Sequence, residues 1–328
     1  MDRRLYKSAF VALVIGMLIT EGTHAQQTTP FRTRNLSPLV SVFGLPAWES
    51  GLVAGEKEFS IVSEVANHYR LGGKGTEELV LDGETWRTSL FYRSSLGDKW
   101  VVGLELPFYQ NSGGFLDDVV DAWHSFFRLP DGNRNLRMED QLRYLYKDNG
   151  VTRYFLDNRS RGIGDVQVSF SRHLFGESGL VFKGTLKLPS GDPDILTGSG
   201  GTDLSFSVFQ KNSAMLVGVP TGLYWGAGLM MIDDSDLFTD RHEDWVAFGT
   251  LGAGWPVLQN FGLKVQFDSH SKFYRSELDE MGKASIQVSV GGWWSLDERR
   301  QLNVAIGEDL IVRTSPDISI NVDFSWGF

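Results

Sequence analysis

The stretch DISINVDFSWGF, from Asp317 to Phe328, closes the chain with a strict two-residue alternation of apolar and polar side chains. Successive side chains of a β-strand point to opposite faces, so this stretch predicts a strand with one apolar and one polar side. The chain also ends on an aromatic residue. The apolar side would carry Ile318, Ile320, Val322, Phe324, Trp326 and Phe328.

The same alternation recurs upstream and gives about twelve candidate strands in total. Short turns between them alternate with longer polar connections, the longest being 110–163. This pattern is typical of a bacterial outer-membrane barrel. We therefore predict an all-β fold over residues 57–328, an antiparallel up-and-down transmembrane β-barrel of about 12 strands. The candidate strands are 57–69, 77–95, 99–109, 164–175, 179–189, 203–211, 214–232, 243–255, 261–275, 282–294, 301–312 and 317–328.

Aromatic residues support the barrel over its alternative, a secreted β-sandwich. Trp100 opens one candidate strand, and Trp255, Trp294 and Trp326 close others, so all four fall at the predicted periplasmic rim. Trp245 and Trp255 share one face of one strand, and ten tilted strand residues span roughly 25 Å, the height of the apolar band of such barrels. A soluble sandwich has no need of aromatic residues at one end of successive strands.

The N-terminus predicts a secretory signal peptide, residues 1–25. Three basic residues precede the apolar stretch 9–19, and Ala25 supplies a small residue for cleavage. A transmembrane anchor is the alternative, but the stretch is short for one. Residues 26–56 would then form an N-terminal periplasmic segment or a plug that enters the barrel. The apolar residues that suggest a plug are Leu39, Val42, Phe43, Leu45 and Trp48.

The 110–163 connection is predicted to be a long extracellular loop with an amphipathic helix at 115–128. Apolar residues recur there at spacings of three and four, beside acids that suit the start of a helix. The helix could cap the lumen, enter it or lie on the membrane surface, and packing on the barrel rim is the simplest alternative.

Composition excludes several classes of protein. The 328 residues contain no cysteine, which rules out disulfides, thiol catalysis and cysteine zinc sites. The 41 acidic residues exceed the 31 Lys and Arg residues and give a net charge of −10, whereas a nucleic-acid-binding surface needs the opposite sign. We expect no nucleic-acid partner.

A catalytic or metal site is also not expected. Ser269 and His270 are adjacent, but neighbours in a strand point to opposite faces and do not meet, and His173 is predicted at the lumen or rim. The acidic loops 192–194 and 233–240 do not follow the spacing of an EF-hand. We expect no enzyme activity, no cofactor and no metal; an outer-membrane lipid-modifying enzyme remains a third alternative, dependent on His173 or His270.

The motifs GLELPF (103–108), GIGD (162–165) and LKLPSGD (186–192) resemble an uncharacterised family of Gram-negative outer-membrane β-barrel proteins, known as a domain of unknown function. Similar motifs occur in barrels linked to aromatic degradation. The resemblance covers roughly residues 35–328 and implies a fold and a cell outer membrane location, not a substrate. The terminal residues Phe324, Trp326 and Phe328 are similar to the assembly signal that the barrel assembly machinery reads.

The polar faces of the strands should line the lumen. We expect Asp165 to interact with Lys183 or Lys187, because an unpaired buried charge is costly. The mixed charges indicate no preference for anions or cations. The full set of lumen-lining candidates is Glu64, Lys99, Glu105, Asp165, Lys183, Lys187, Asp203, Lys264 and Asp268.

The sequence therefore predicts a channel or transporter, embedded in outer-membrane lipid and gated by the long loop. A small hydrophobic or aromatic solute is slightly favoured, because the loop and the N-terminal segment are apolar. The alternative is a closed barrel with an envelope-structural or partner-binding role.

Overall fold

The computed structural model describes residues 28–52, 54–116, 141–174, 180–216, 218–310 and 314–328. Fifteen β-strands lie within these residues. They are β1 (Lys57–Lys74), β2 (Glu77–Leu96), β3 (Trp100–Ser112), β4 (Arg143–Asp148), β5 (Val151–Leu156), β6 (Ser160–Ile163), β7 (Gln167–His173), β8 (Val181–Lys187), β9 (Asp203–Leu216), β10 (Val219–Ile232), β11 (Trp245–Leu258), β12 (Phe261–His270), β13 (Ser285–Ser295), β14 (Arg300–Asp309) and β15 (Ile318–Gly327).

Twelve of these strands close into one antiparallel ring. β1 pairs with β2, β2 with β3, and β3 with β7; sequence neighbours then pair from β7 to β15, and β15 returns to β1. A closed ring leaves no unpaired sheet edge, which is the condition for strands to stand in hydrocarbon. The predicted twelve-strand barrel is confirmed.

The polarity of the two faces of the ring is the reverse of that in a water-soluble protein. On β3, Leu104 and Phe108 point outward and are exposed, whereas Glu105 and Tyr109 point inward and are buried. The outer surface is apolar and the interior is polar, as in outer-membrane barrels. Phe324, Trp326 and Phe328 share the outward parity of β15, with Trp326 and Phe328 about half exposed.

The barrel has a short-turn end and a long-loop end. The connections 97–99, 217–218, 259–260 and 296–299 define the short-turn end, where β1 begins and β15 finishes. At the opposite end, β1 and β2 run on beyond the ring to a tight turn at 75–76, which replaces the predicted loop 70–76. β9 likewise continues to Leu216 and β10 begins at Val219, so residues 211–213, which were predicted as a turn, belong to β9.

The described part of the 110–163 connection contains three short strands, β4, β5 and β6. β4 pairs with the extended end of β2 and with β5, and β6 pairs with the end of β3. The predicted helix at 115–128 lies outside the described residues from 117 onward, as does the predicted signal peptide 1–25. Helical turns of the described chain are a 3-10 turn at Pro193–Ile195 and α1 at Asp279–Gly282, and no described helix is long and apolar enough to span a bilayer.

Candidate functional site: the lumen and the segment inside it

Residues 28–52, which we call the lumen segment, lie inside the ring as a U-shaped loop. The segment starts at the short-turn end, where Thr28 lies against Gly222. It turns at 37–43, where Ser37 accepts hydrogen bonds from the amides of Val40 and Ser41. It then returns to the short-turn end, where the Leu52 carbonyl oxygen is 3.2 Å from His173 Nε2.

The ascending limb, residues 28–36, runs alongside β12 and makes a contact at every second residue. Gln266 accepts from the Phe31 amide at 2.8 Å and donates to the Phe31 carbonyl at 3.0 Å. The Thr33 hydroxyl donates to Asp268 at 2.7 Å, and Asn35 Nδ2 is 2.8 Å from His270 Nε2. Lys264 donates to the Thr29 carbonyl at 2.8 Å. The side chains on the inward face of β12 therefore hydrogen-bond the ascending limb at every second residue.

The opposite face of the ascending limb carries two buried arginines. The Arg32 guanidinium hydrogen-bonds Glu58 of β1, lies 3.4 Å from Asp323 of β15, and sits over the Phe91 ring at 5.1 Å. Arg34 Nη2 donates to Glu105 of β3 at 2.5 Å. Alternation along an extended limb thus places hydroxyl, amide and aromatic groups against β12 and cations against the acids of the opposite wall.

The tip of the lumen segment, residues 37–43, is packed in an apolar cluster at the long-loop end. Phe43 lies 5.1 Å from Phe273 and 5.9 Å from Tyr274, measured between ring centroids. The Tyr274 hydroxyl donates to the Leu39 carbonyl at 2.5 Å, and the Tyr109 hydroxyl donates to the Ser41 carbonyl at 2.6 Å. Burial of this size stabilises the tip by about 2 kcal/mol for each large side chain.

The descending limb, residues 44–52, contacts the wall formed by β8 to β11. The Gly44 amide donates to Asp203 at 2.7 Å. The Trp48 ring packs onto Gly226, where a Cβ would lie 2.3 Å from it, so this wall position requires glycine. Glu49 Oε2 is 2.5 Å from Lys183 Nζ and 3.8 Å from Arg93.

The predicted lumen candidates take these positions. Glu64, Glu105, Asp165, Lys187, Asp203 and Lys264 are buried inside the ring, and Lys183 and Asp268 are largely buried there. Lys187 joins Asp165 at 2.8 Å and Asp203 at 3.2 Å, while Lys183 binds Glu49 of the lumen segment instead of Asp165. Lys99 does not line the lumen: β3 begins at Trp100, and Lys99 lies in the exposed turn before it.

Several residues of this interior were not singled out from the sequence. On the wall they are Glu58, Arg87, Arg93 and Asp323, all on polar faces of segments read as strands, so their parity was a usable signal. In the lumen segment they are Arg32, Arg34 and Glu49. The segment forms no sheet ladder, so strand parity could not assign these three residues to a wall.

A cavity of about 460 Å³ opens at the long-loop end, above the tip of the lumen segment. Tyr146 and Phe238 line it, with Arg153 and Asp240 paired 3.5 Å apart. The Phe238 ring lies 4.8 Å from Tyr146 and 5.6 Å from Tyr274, which in turn contacts Phe43. An unbroken row of rings thus connects the cavity with the tip. The cavity is lined by Tyr146, Arg153, Asp236, Phe238, Thr239, Asp240 and Arg241.

One wall of this cavity is fixed by charge pairs between the 233–244 loop and the extended strands. Arg241 lies 3.0 Å from Glu77 and 2.5 Å from Asp148. A hydrogen bond from Thr76 and the nearby Arg241 guanidinium lower the pKa of Asp148. Burial and the hydrogen bond to Glu77 raise the pKa of Tyr146, so its hydroxyl remains a donor at neutral pH.

The histidines considered for catalysis contact the lumen segment. His270 Nε2 faces Asn35 and Nδ1 is 2.8 Å from the Ser271 carbonyl oxygen, while His173 faces Leu52. Within the residues that the structure describes, no group of three or more His, Asp or Glu side chains is placed to hold a metal ion.

A closed ring with an apolar outside and a charged, occupied inside defines a β-barrel of the outer-membrane type. The chain belongs to the DUF3187 family, described as a protein of unknown function, whose model matches residues 8–328. No functionally curated protein matches it.

Among solved structures, the chain is similar to the COG4313 outer membrane channel from Pseudomonas putida F1. The identity is 14%, 85% of this chain and 97% of that chain are covered, and the TM-score is 0.55. The outer membrane channel DcaP of Acinetobacter baumannii matches at 9% identity over 85% and 100% of the two chains, with a TM-score of 0.31. The P. putida toluene transporter TodX matches at 9% identity over 84% and 90%, with a TM-score of 0.35. At these identities the likeness to the first structure shows the fold.

Proposed function

We propose that the protein is an outer-membrane channel for a small solute and that the lumen segment is its gate. The observation that supports this proposal is the kind of contact that holds the lumen segment against the barrel wall. Along both limbs the segment is held by side-chain hydrogen bonds and ion pairs to the wall, with no strand-to-strand ladder. In this state the segment occupies the path through the ring, so conduction requires it to move.

The chemistry of the wall favours a gate over a permanent core. Burying paired charges is no more stabilising than packing apolar residues of the same size. A lumen that is always filled gains nothing from the Arg32–Glu58 or Lys183–Glu49 pairs. A lumen that opens to water does need a polar wall, because its charges become hydrated when the segment leaves. The closed structural barrel, the alternative, lacks this reason for a charged interior.

A reversible crosslink tests the gate. A Cβ on Gly44 would lie 3.0 Å from the Asp203 Cβ, close to the separation of about 3.5–4.5 Å found in disulfides. The chain has no cysteine of its own, so Gly44→Cys with Asp203→Cys makes a single pair. In planar lipid bilayers we expect openings from the reduced protein and none from the oxidised protein.

The single variant Asp203→Cys is the matched control, since it loses the same carboxylate and cannot be locked. Equal conductance before and after oxidation of the double variant would show that the segment is not the gate. A complete absence of conductance in reduced protein, with the barrel folded, would favour the closed structural barrel.

The solute that we propose carries an apolar or aromatic portion. Support comes from the row of rings that joins the cavity, through Phe238 and Tyr274, to Phe43 at the tip. In liposome-swelling assays phenyl glucoside should enter faster than methyl glucoside, because both are too polar to cross the bilayer unaided, and Phe238→Ala should remove most of that difference. Equal rates in both proteins would reject an aromatic entry site.

The non-enzymatic role and the location form part of the same proposal. The contacts of His173 and His270 with the lumen segment support structural roles for both side chains. Lipid hydrolysis that is lost in His173→Ala or His270→Ala would instead support the lipid-modifying enzyme. The apolar outer face supports residence in outer-membrane lipid after signal-peptide cleavage, and membrane fractionation with an antibody to the chain tests it.

A further inference from the structure

Arg34 of the lumen segment enters a cluster of charged residues on the wall of β1, β2 and β3. Glu64 and Arg87 are cross-strand partners, and Arg87 is in turn opposite Tyr109. The Arg87 guanidinium lies 3.5 Å from Glu64 and hydrogen-bonds Glu105. Arg34 Nη2 approaches the same Glu105 at 2.5 Å. All four charged side chains of this cluster are buried.

The wall part of the cluster is unbalanced without the segment. Once the lumen is open to water, Glu64 and Glu105 bring two negative charges and Arg87 brings one positive charge, so the wall alone carries an excess carboxylate. Arg34 supplies the missing cation in the closed state. An excess negative charge on the wall of a narrow lumen raises the local concentration of cations, so the cluster should attract another cation when Arg34 leaves.

The hydrogen-bonding groups of Arg34 and of the surrounding wall are only partly paired with each other. Among the described residues, its Nε and Nη1 atoms are buried without a hydrogen-bond partner. Asn321, the cross-strand neighbour of Glu64, likewise leaves Oδ1 buried without a partner. A guanidinium has five N–H donors, so a freely placed one could contact acceptors that the tethered arginine does not reach. The closed state thus leaves donors of Arg34 and an acceptor of the wall unpaired, and a freely placed cation could use that acceptor.

The nearby Arg32 site is different, because it keeps a cation of its own. Glu58 binds Arg93 of β2 through Nη2 at 3.2 Å as well as binding Arg32. When the ascending limb leaves, Glu58 remains neutralised by Arg93. Asp323, the other carboxylate that Arg32 meets, interacts electrostatically with Lys264 of β12. Each carboxylate of this site therefore keeps a wall cation, whereas one carboxylate of the Arg34 cluster does not.

We propose that Glu64 and Glu105, with Arg87 between them, form a cation-binding site of the open lumen and that Arg34 occupies it in the closed state as a tethered competitor. The ligand class is a small organic cation with N–H donors, of the guanidinium or primary ammonium type. This inference rests on the proposed channel and narrows its solute: a cationic group would bind here, and an apolar portion would use the row of rings above.

The experiment uses the full-length chain with Arg34→Ala, which vacates the site and weakens the gate. Reversal potentials are measured in planar bilayers across a KCl gradient, and guanidinium chloride is then added as the probe. We expect cation preference and a block of the current by millimolar guanidinium. Adding Glu105→Gln should weaken the block about tenfold or more, the effect of losing one charged hydrogen bond.

Arg34→Ala with Asp268→Asn is the matched control, because it removes one lumen carboxylate from β12 and leaves the cluster intact. The block should persist in this variant. Currents with no cation preference, or a block that Glu105→Gln and Asp268→Asn weaken equally, would overturn the cation site while leaving the channel in place. No current from any folded variant would overturn the channel itself and the site with it. Glu64→Gln repeats the test if Glu105→Gln does not fold, as judged by heat-modifiable migration in gels.

Discussion

Individual side chains decide how firmly the lumen segment is held, and Arg32 is the clearest case. Its guanidinium joins the ascending limb to carboxylates on both β1 and β15. Replacing it by alanine leaves Asp323 buried without this partner and Glu58 with Arg93 alone, at a cost of about 3 kcal/mol while the segment stays in place. The segment should therefore leave the lumen more often in Arg32→Ala, without unfolding of the ring.

A cysteine at the tip measures that release. Ser41 is buried, and its hydroxyl has no hydrogen-bond partner within the described chain, so Ser41→Cys is a mild change. Labelling by a water-soluble maleimide should be at least about tenfold faster when Arg32→Ala is added. Arg32→Lys keeps the charge and should give an intermediate rate. Identical rates in all three proteins would mean that Arg32 does not hold the gate.

Sequence parity located lumen residues well where strand limits were clear. Glu64, Glu105 and Lys187 lie inside the ring because the polar face of each strand faces the lumen. The prediction that Lys99 lines the lumen was wrong because the predicted strand began one residue too early. Lys99 lies in an exposed turn, and β3 begins at Trp100. The alternation along a strand predicts which wall residues face the lumen. It does not predict which side chain of the lumen segment each of them contacts.

At the scale of elements, β12 acts as the support of the ascending limb. Gln266 makes two hydrogen bonds to the backbone of Phe31 and accepts a third from Tyr224 at 2.9 Å. Gln266 also donates to the Thr33 hydroxyl at 3.1 Å. Gln266→Ala should loosen the limb by about 2–3 kcal/mol, from three lost hydrogen bonds of about 1 kcal/mol each at most. Labelling of Ser41→Cys should then rise about thirtyfold or more. Gln287→Ala, at a buried position of neighbouring β13, is the control and should change the rate little.

The last strand, β15, offers a prediction about assembly. The Phe328 backbone closes the seam with β1 through hydrogen bonds to Lys57 of 2.9 and 3.0 Å, while its side chain is half exposed outside the ring. If the barrel assembly machinery reads this side chain, Phe328→Ala should lower the assembled fraction severalfold without lowering the thermal stability of the barrel that does form. Phe267→Ala removes another outward phenylalanine and should leave the yield unchanged. Equal yields from both variants would exclude Phe328 as the signal.

The hairpin of β4 and β5 was missed, although the sequence contains its signal. Asn149 and Gly150 both adopt positive φ, 51° and 75°, as the tight turn between these strands requires. An Asn-Gly pair between alternating residues is a strong hairpin pattern. The continuation of β1 and β2 beyond the ring was also missed, since nothing in their alternation marks where the ring ends.

The whole molecule adds a pH-dependent contact at the long-loop end. Since the pKa of Asp148 is lowered in the folded protein, its ion pair with Arg241 is fully present above the ordinary aspartate pKa of about 3.9. The contribution is lost only as the pH falls through the lower folded value. Hydrogen exchange of residues 233–244 should therefore be equally slow from pH 7 to about pH 4, after correction for intrinsic rates, and faster below.

Arg241→Ala is the control for this contact and should accelerate the same exchange at every pH. Protection that is lost between pH 6 and 5 would contradict the lowered pKa and would point to another titrating group.

The barrel as a whole could be predicted from the sequence, but the position of residues 28–52 inside it could not. Alternation, turn lengths and terminal aromatics are local patterns, and together they require a closed sheet of antiparallel strands. The position of residues 28–52 depends on contacts between groups that are far apart in the chain, up to 235 positions in the case of Phe31 with Gln266. Apolar residues at Phe43 and Trp48 suggested an interior position, but periodicity cannot choose between a segment within the barrel and one beside it.

The U shape of the lumen segment has a consequence for how the interior becomes filled. Both arms of the U emerge at the same opening, next to the first residue of β1, and the bend lies at the far side. The lumen segment can therefore insert into a barrel that is already closed. No chain terminus has to pass through the barrel, and no pair of strands has to separate. If the lumen segment moves as proposed, it can enter and leave without any change to the barrel strands, and one copy of the protein can repeat the movement.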